Sequence, residues 1–404
     1  MSNDHFPDDL HIDTLAVHVG VERSQYGENS EALYLTSGYV QPDAATAARR
    51  FSGEEEGFTY GRYGNPTVSG MERRLAALEG SEACISTASG MSAILMMIMG
   101  LLKAGDHIIC SCSMFGSTIK LVSDFARYGV ESSFVSQTDS AQWQAAVRPT
   151  TRLLFAETPT NPLTDVCDIR ALADIAHKAG ALLAVDNCFC TPALQRPIAL
   201  GADLVIHSGT KYLDGQGRTM AGALCGTRKL ITETFLPVLR SAGMTLAPFN
   251  AWVVLKGLET LSIRMQAQSQ RALELATWLQ DQPQVSRVYY PSLSSHPQHE
   301  LAMAQQSGHG GAVVSFDVRA SDADQGRARA FAVLDAMRTV TLCTNLGDVK
   351  TLASHPASTS HGRLTEAQRQ SAGIGQGLIR VSVGLEHVDD LKRDLARAFA
   401  SSVA

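Results

Sequence analysis

The sequence carries no excess of basic charge. Its 34 lysines and arginines stand against 40 aspartates and glutamates, giving a formal net charge of −6. A chain that tracks a phosphate backbone has the opposite balance, so no nucleic-acid partner is expected. Long hydrophobic runs are missing too. The most apolar stretch, residues 93–102, is about ten residues long, whereas a bilayer span needs roughly 20. No membrane partner is expected. Residues 1–10 are acidic and polar, without the apolar core of a secretory leader, and the expected location is the cytoplasm. Cysteine is sparse, with eight in 404 residues. Cys110/Cys112 and Cys188/Cys190 are C-x-C pairs in strand-like runs, which would point each pair to one face of its strand. No second cluster of similar spacing lies close by, so no metal site is expected. The cysteines read as small buried hydrophobes in a reducing compartment.

Apolar material is plentiful, at 45% of residues, and suffices for a large buried core. The length suggests two or three domains. Residues 1–65 mix polar runs with Gly27, Gly38, Pro42 and Gly57 and hold no sustained period. They are expected to form an irregular arm that packs on something else. From Pro66 the pattern changes. Strands are expected at residues 83–86, 107–111, 153–157, 182–186 and 204–207. Helices are expected at 67–78, 91–102, 118–128 and 169–178, several closed by glycine. This alternation implies right-handed βαβ units and a mostly parallel sheet. The strands are continuous apolar runs, as in a sheet covered on both faces. Long helices over 249–263 and 264–279 are expected to bridge to a C-terminal part. There, strand candidates fall at 311–317 and 378–383, and the last helix at 388–400. The expected class is α/β: an arm over 1–65, a large domain over 66–261 and a smaller α/β domain over 262–404.

Three features fall at one predicted edge of the large sheet. Lys211 follows a buried strand in His207-Ser208-Gly209-Thr210-Lys211. Open α/β sheets place ligands at the carboxyl ends of their strands. Such a lysine is either an ordinary surface residue or one whose amine burial makes available for Schiff-base chemistry. Ser208 and Thr210 flank it with hydroxyls suited to phosphate oxygens. Asp186 ends an earlier strand; it either caps the next turn or holds a pyridinium nitrogen protonated. Ser89-Gly90-Met91-Ser92 precedes a helix and is either a routine cap or an anion cradle of free N–H groups.

Together with Tyr60-Gly-Arg62-Tyr-Gly-Asn65-Pro66-Thr67, Glu157-Thr-Pro159-Thr-Asn161-Pro162 and His207-Ser208-Gly-Thr210-Lys211-Tyr212, these motifs mark a resemblance. Over nearly its whole length the chain resembles the Cys/Met-metabolism enzymes that use pyridoxal phosphate: cystathionine synthases and lyases, methionine lyase and homoserine sulfhydrylases. The resemblance implies the fold type I transferase fold and pyridoxal 5'-phosphate as cofactor. It implies that Lys211 bonds the cofactor and shuttles protons, and that Asp186 pairs with the pyridine nitrogen. By the same match, Gly90, Met91, Ser208 and Thr210 cradle the phosphate. Tyr60 and Arg62 complete the cradle of a neighbouring subunit, so the arm would cross a dimer interface within a tetramer built as a dimer of dimers. Asn161 lies near the ring and the substrate carboxylate. Arg380, in Leu378-Ile-Arg-Val-Ser-Val-Gly384, grips that carboxylate as a bidentate fork.

One departure bears on chemistry. Where most of the family stacks a tyrosine on the ring, this chain has Phe115, which stacks but offers no hydroxyl. That is similar to what O-succinylhomoserine sulfhydrylases carry. The run from Asn345 to His361 also resembles homoserine sulfhydrylases, and Asn345 is carried over as a substrate-binding residue. His355 and His361 in that run read as loop histidines with packing roles. The resemblance therefore implies γ-replacement in methionine biosynthesis. An O-acylhomoserine, O-succinyl first and O-acetyl second, reacts with sulfide to give homocysteine. The alternatives are a cystathionine γ-synthase and a cystathionine or methionine lyase. No G-x-G-x-x-G stands between a strand and a helix, which sets aside an NAD-type oxidoreductase.

Overall fold

The alternation from Pro66 onward builds a seven-stranded sheet. The computed structural model describes residues 10–401 apart from 363, 364, 367, 368, 370 and 371. The strands are β1 (Ala83–Thr87), β2 (His107–Ser111), β3 (Glu131–Val135), β4 (Thr151–Glu157), β5 (Leu182–Asp186), β6 (Leu204–Ser208) and β7 (Gly222–Gly226), in the order β1-β7-β6-β5-β4-β2-β3. β7 runs antiparallel to both its neighbours, and the other pairs are parallel. Side chains alternate across the sheet. Leu204 and Ile206 pack with Ala93, Met96 and Met97 of the helix Gly90–Leu101. Val205 points the other way, into a core with Met71 and Leu75 of the helix Pro66–Glu79. Both faces are thus covered, as the continuous apolar runs require.

A second sheet follows: β8 (Val285–Tyr289), β9 (Val313–Val318), β10 (Thr341–Leu342), β11 (Leu352–Ser354) and β12 (Leu378–Ser382), in the order β10-β11-β12-β9-β8. It is antiparallel except between β10 and β11. Ile379 and Val381 join Phe316, Val333, Leu391 and Leu395 in a separate core. The alternate residues face the large sheet. Ser315 Oγ donates to the Pro162 carbonyl at 2.7 Å, Arg380 Nη1 donates to Asn161 Oδ1 at 3.1 Å, and Ser382 Oγ meets Tyr212 Oη at 3.2 Å.

The bridging helices differ in bounds from the expected 249–263 and 264–279: they are Pro248–Leu258 and Leu261–Gln280. Arg264 explains the break. Its Nη2 donates to the Gly257 carbonyl at 2.8 Å and its Nη1 to the Tyr212 carbonyl at 2.9 Å, so it satisfies a carbonyl at the end of the first helix. Leu261 and Met265 belong to the first core, and Ala272, Leu275 and Leu279 to the second, so one helix spans both.

The arm is less irregular than expected. It holds two short helices, Ile12–His18 and Ala44–Ser52. The second is capped by Asp43, whose carboxylate accepts the Thr46 N–H at 2.7 Å, and is closed by Gly53 in the left-handed region. The C-x-C expectation fails for both pairs: β2 ends at Ser111, so Cys110 is a buried strand residue while Cys112 lies beyond the strand and is exposed, not a buried hydrophobe. Cys188 and Cys190 lie beyond β5, where the chain has already turned; Cys188 borders a cavity and Cys190 is buried in the core. All eight cysteines are free thiols. Among the described residues, no helix is long and apolar enough to cross a membrane, and no group of three His, Cys, Asp or Glu side chains could hold a metal ion.

Candidate active site

Three parallel strands end side by side, and the chemistry gathers at their carboxyl ends. Glu157 of β4 is the register partner of Asp186 of β5, and β6 ends at Ser208. From Ser208 the chain enters a single tight turn, Gly209–Leu213, within which Lys211 leaves helical geometry at φ −93° and ψ −128°. The turn is pinned by the Ala221 N–H donating to Thr210 Oγ1 at 3.1 Å, and a Cβ on Gly209 would lie 2.8 Å from the Ala221 methyl. Lys211 is thereby turned into a cavity of about 250 Å³ between the two sheets. Its Nζ donates to Asn345 Oδ1. Burial lowers its pKa, and the Arg380 charge adds to the effect.

Asp186 stands at the cavity wall with its Oδ1 accepting the Cys188 N–H at 3.0 Å. Burial raises its carboxyl to about 6. Glu157 is raised further, to about 8, by burial and then by the charge of Asp186. Behind these strand ends, His207 Nε2 meets Glu79 Oε1 at 2.6 Å, and Asn187 Nδ2 donates to the same oxygen at 3.0 Å. His207, Glu79 and Asn187 are all fully buried, so β5 and β6 leave the sheet through a polar anchor.

The helix Gly90–Leu101 points its N-terminus at the same cavity. Ser89 caps it by accepting the Ser92 N–H at 3.1 Å. Space at Gly90 is tight, since a Cβ there would lie 3.0 Å from Ser208 Cβ. Gly90, Met91, Ser208 and Thr210 all line the cavity, so two free backbone donors and two hydroxyls converge at a helix N-terminus. Phe115 forms an aromatic wall, its N–H donating to Glu157 Oε2 at 2.8 Å.

Arg380 also lines the cavity. It sits in β12, between β11 and β9, and is 1% exposed, so it is no edge residue reaching for water. Its Nη2 donates to the carbonyls of Thr344 and Asn345, each at 3.0 Å, and its Nη1 to Asn161 Oδ1. Its Nε has no partner, and among the described residues no carboxylate pairs with it. Burial pushes its pKa down to about 10. A buried guanidinium held by neutral acceptors is a site made for an incoming anion.

The structure therefore brings together Gly90, Met91, Phe115, Asn161, Asp186, Ser208, Thr210, Lys211 and Arg380 around one cavity, with Asn345 on the Lys211 amine. Tyr60 and Arg62 stand apart. The Arg62 guanidinium lies 5.4 Å from the Tyr60 ring centroid and donates to the Arg240 carbonyl, and Tyr60 is 42% exposed. Sequence reasoning did not pick Glu157, Cys188 or Ser360 as cavity residues. Glu157 had a signal: like Asp186, it is the last residue of an apolar strand run. His355 has both ring nitrogens engaged, with Ser358 Oγ and the Gln376 carbonyl each at 2.8 Å, which fits a packing role. His361 is held down to about 4 by burial and by the Arg380 charge.

This donor set fits pyridoxal phosphate: an anion cradle, a carboxylate, a lysine with a depressed pKa and an aromatic wall in one cavity. Residues 13–400 match the profile of a family described as Cys/Met metabolism PLP-dependent enzyme. The chain is 58% identical over 391 residues to an O-succinylhomoserine sulfhydrylase of Pseudomonas aeruginosa, covering 96% of this chain and 95% of the relative. It is 45% identical over 395 residues to one of Mycobacterium tuberculosis, covering 98% and 97%. A solved structure from Campylobacter jejuni that carries an N'-pyridoxyl-lysine-5'-monophosphate superposes with a TM-score of 0.92. It is 31% identical in sequence, over 97% of this chain and all of the other.

Proposed function

We propose, for a chain that belongs to the Cys/Met-metabolism family of PLP-dependent enzymes, that it exchanges the acyloxy group of an O-acylhomoserine for sulfide to give homocysteine. O-succinylhomoserine is the first choice of substrate and O-acetylhomoserine the second. The observation that carries the reading is the make-up of the cavity. Lys211 supplies its one amine, and Phe115 leaves no phenol on the ring wall to share proton transfer. Identity with the sulfhydrylases supports the same choice.

When bound, pyridoxal phosphate supplies an electron sink for charge that develops next to the substrate amine. Gly90, Met91, Ser208 and Thr210 would hold its phosphate, Asp186 would keep its ring nitrogen protonated, and Lys211 would join it covalently. Arg380 takes the substrate α-carboxylate with its fork, steadied by Asn161. Lys211 Nζ, its pKa lowered by burial, accepts the Cα proton, gives it up to restore its lone pair, and only then accepts a Cβ proton. The γ-carbon loses its bond to the acyloxy oxygen, which leaves as carboxylate, and forms a bond to sulfide sulfur. Lys211 returns the protons. Asn345 Oδ1 holds the lysine amine between transfers.

The chain divides into an arm over 1–65, a large domain over 66–261 and a C-terminal domain over 262–404, with the helix Leu261–Gln280 as the bridge. Tyr60 and Arg62 act on a neighbouring subunit's phosphate, within a homotetramer of two dimers. The location is the cytoplasm. The deciding assay gives the purified enzyme O-succinyl- and O-acetylhomoserine, each with sulfide and with cysteine. Homocysteine from the succinyl ester and sulfide is the expected main product. Faster formation of cystathionine points to a synthase. Ketobutyrate or pyruvate from methionine, cystathionine or cysteine, without homocysteine from either ester, points to a lyase.

A further inference from the structure

One carboxyl group in the cavity has no part in the reaction above. Glu157 is the last residue of β4 and is 6% exposed, and no cation pairs with it among the described residues. It divides its two oxygens between two segments. Oε2 accepts the Phe115 N–H at 2.8 Å, and Oε1 accepts the Asn161 N–H at 3.2 Å. Phe115 opens the helix Gly116–Asp124 without a side-chain cap, so Glu157 satisfies a donor that the helix start leaves free. Asn161 in turn accepts from Arg380 Nη1. The Glu157 carbonyl is itself fixed by Gln137 Nε2 at 2.7 Å. A single carboxyl thus ties the aromatic wall, and through Asn161 the arginine wall, to a strand in the interior of the sheet.

We propose that Glu157 is a positioning residue: it sets the distance between Phe115 and Arg380 and so the aim of the guanidinium at the substrate carboxylate. The inference rests on the reading that Arg380 takes that carboxylate. The titratable and charged groups facing Glu157 are Asp186 of β5, Cys188 beyond it, and Lys211 and Arg380 across the cavity. Of the two carboxyls, Glu157 is the one raised further, by burial and then by the charge of Asp186, so of the pair it is the one that holds its proton to higher pH. While it does, the strand edge presents at most one negative charge, beside the position where a ring nitrogen is to stay protonated. A carboxyl raised in the folded state contributes stability that is complete below its ordinary value of 4.5 and is lost as pH climbs through about 8.

Two measurements on Glu157→Gln test the idea. In the cofactor-loaded enzyme, the amide end of the glutamine faces a backbone N–H and pushes one wall away. The KM for the amino-acid substrate is expected to rise about tenfold, while the KM for sulfide stays within about twofold. The visible circular dichroism of the bound cofactor is expected to weaken with it. In the cofactor-free full chain, the wild type is expected to lose denaturant resistance between about pH 6 and 8, and the variant to lose less. An unchanged KM with wild-type dichroism overturns the proposal, as does a fall in kcat with both KM values unchanged. Equal alkaline loss in both proteins overturns the protonation part. Should Glu157→Gln not fold, Glu157→Asp applies the same test with a shorter reach: a raised KM with the alkaline loss retained supports the proposal, and a wild-type KM sinks it. If the wild type turns over no acyl-homoserine, the functional reading fails on its own, because the unfolding comparison uses no substrate.

Discussion

Lys211 and Arg380 are two cations in one cavity, and their surroundings give them opposite tasks. Lys211 carries its amine on a flexible stem, bonds a neutral amide oxygen, and has its pKa lowered by burial, which frees a lone pair for proton transfer. Arg380 is held by three neutral oxygens and stays charged, so its unmet demand is for a carboxylate. Lys211→Ala is therefore expected to cut turnover by at least about 10²–10⁴-fold. Borohydride should then no longer fix the cofactor to the chain, as mass spectrometry of the reduced protein would show. Arg380→Gln is expected to raise the KM for the amino-acid substrate on the order of 100-fold, with little change in the KM for sulfide, as steady-state kinetics would read. Normal affinity in that variant would remove the carboxylate from Arg380. Lys211 and Asp186 stand out in the sequence because each sets a charge at the end of an apolar strand, whereas Arg380, inside its apolar strand, is marked only by the family motif it matches. Glu157 also ends an apolar strand, but its bonds run to Phe115 and Asn161, 42 residues before it and four after. No local pattern joins those three positions.

At the scale of elements, β7 shows what local reading misses. It is five residues long with a glycine at each end, which argues against a strand by propensity. It nevertheless sits inside the sheet, antiparallel between β1 and β6. Gly222 is demanded from outside the strand, and Gly226 is only tightly neighboured. A Cβ on Gly222 would lie 2.1 Å from the Ser89 carbonyl oxygen, and one on Gly226 would lie 2.7 Å from Leu204 Cδ2. Gly222 thus lets Ser89, which caps the helix Gly90–Leu101, rest directly on β7. Gly222→Ala is expected to destabilise the fold by about 1–3 kcal/mol and to loosen the cofactor as Ser89 shifts. Denaturant unfolding and cofactor retention on dialysis would measure the two effects, and tight retention in a destabilised variant would uncouple β7 from the cradle. β3 escaped for a different reason. It is an edge strand that begins Glu131-Ser132-Ser133, where one side meets water and polar residues cost little.

The whole molecule leaves its arm with apolar side chains in the open. Val40 is 99% exposed, Leu35 69% and Phe51 63%, and Tyr60 and Arg62 lie on the same arm. That distribution suits a surface covered by another copy of the chain. If arms are exchanged, Lys211→Ala chains mixed with Arg62→Ala chains should regain activity that neither has alone. With random pairing, half of the dimers are mixed and each mixed dimer has one intact site of two, so recovery of about a quarter of the wild-type rate is expected. No recovery after unfolding and refolding the mixture together would place Arg62 in its own subunit's chemistry or in none.

By itself the sequence determined the βαβ order and the covered sheet, and it set Lys211 and Asp186 as charges at the carboxyl ends of apolar strands; the roles expected of the site residues rest on the family motifs they stand in. The first three depend on hydrophobic period and on charges set against it, both of which are local. Tertiary structure decided which strands are neighbours, and so that Glu157 and Asp186 form a carboxyl pair. It also turned one face of β12 toward the large sheet, bringing Arg380 into the same cavity as Lys211. Strand order and domain contact are set by packing between segments far apart in the chain, and no window along the sequence contains them.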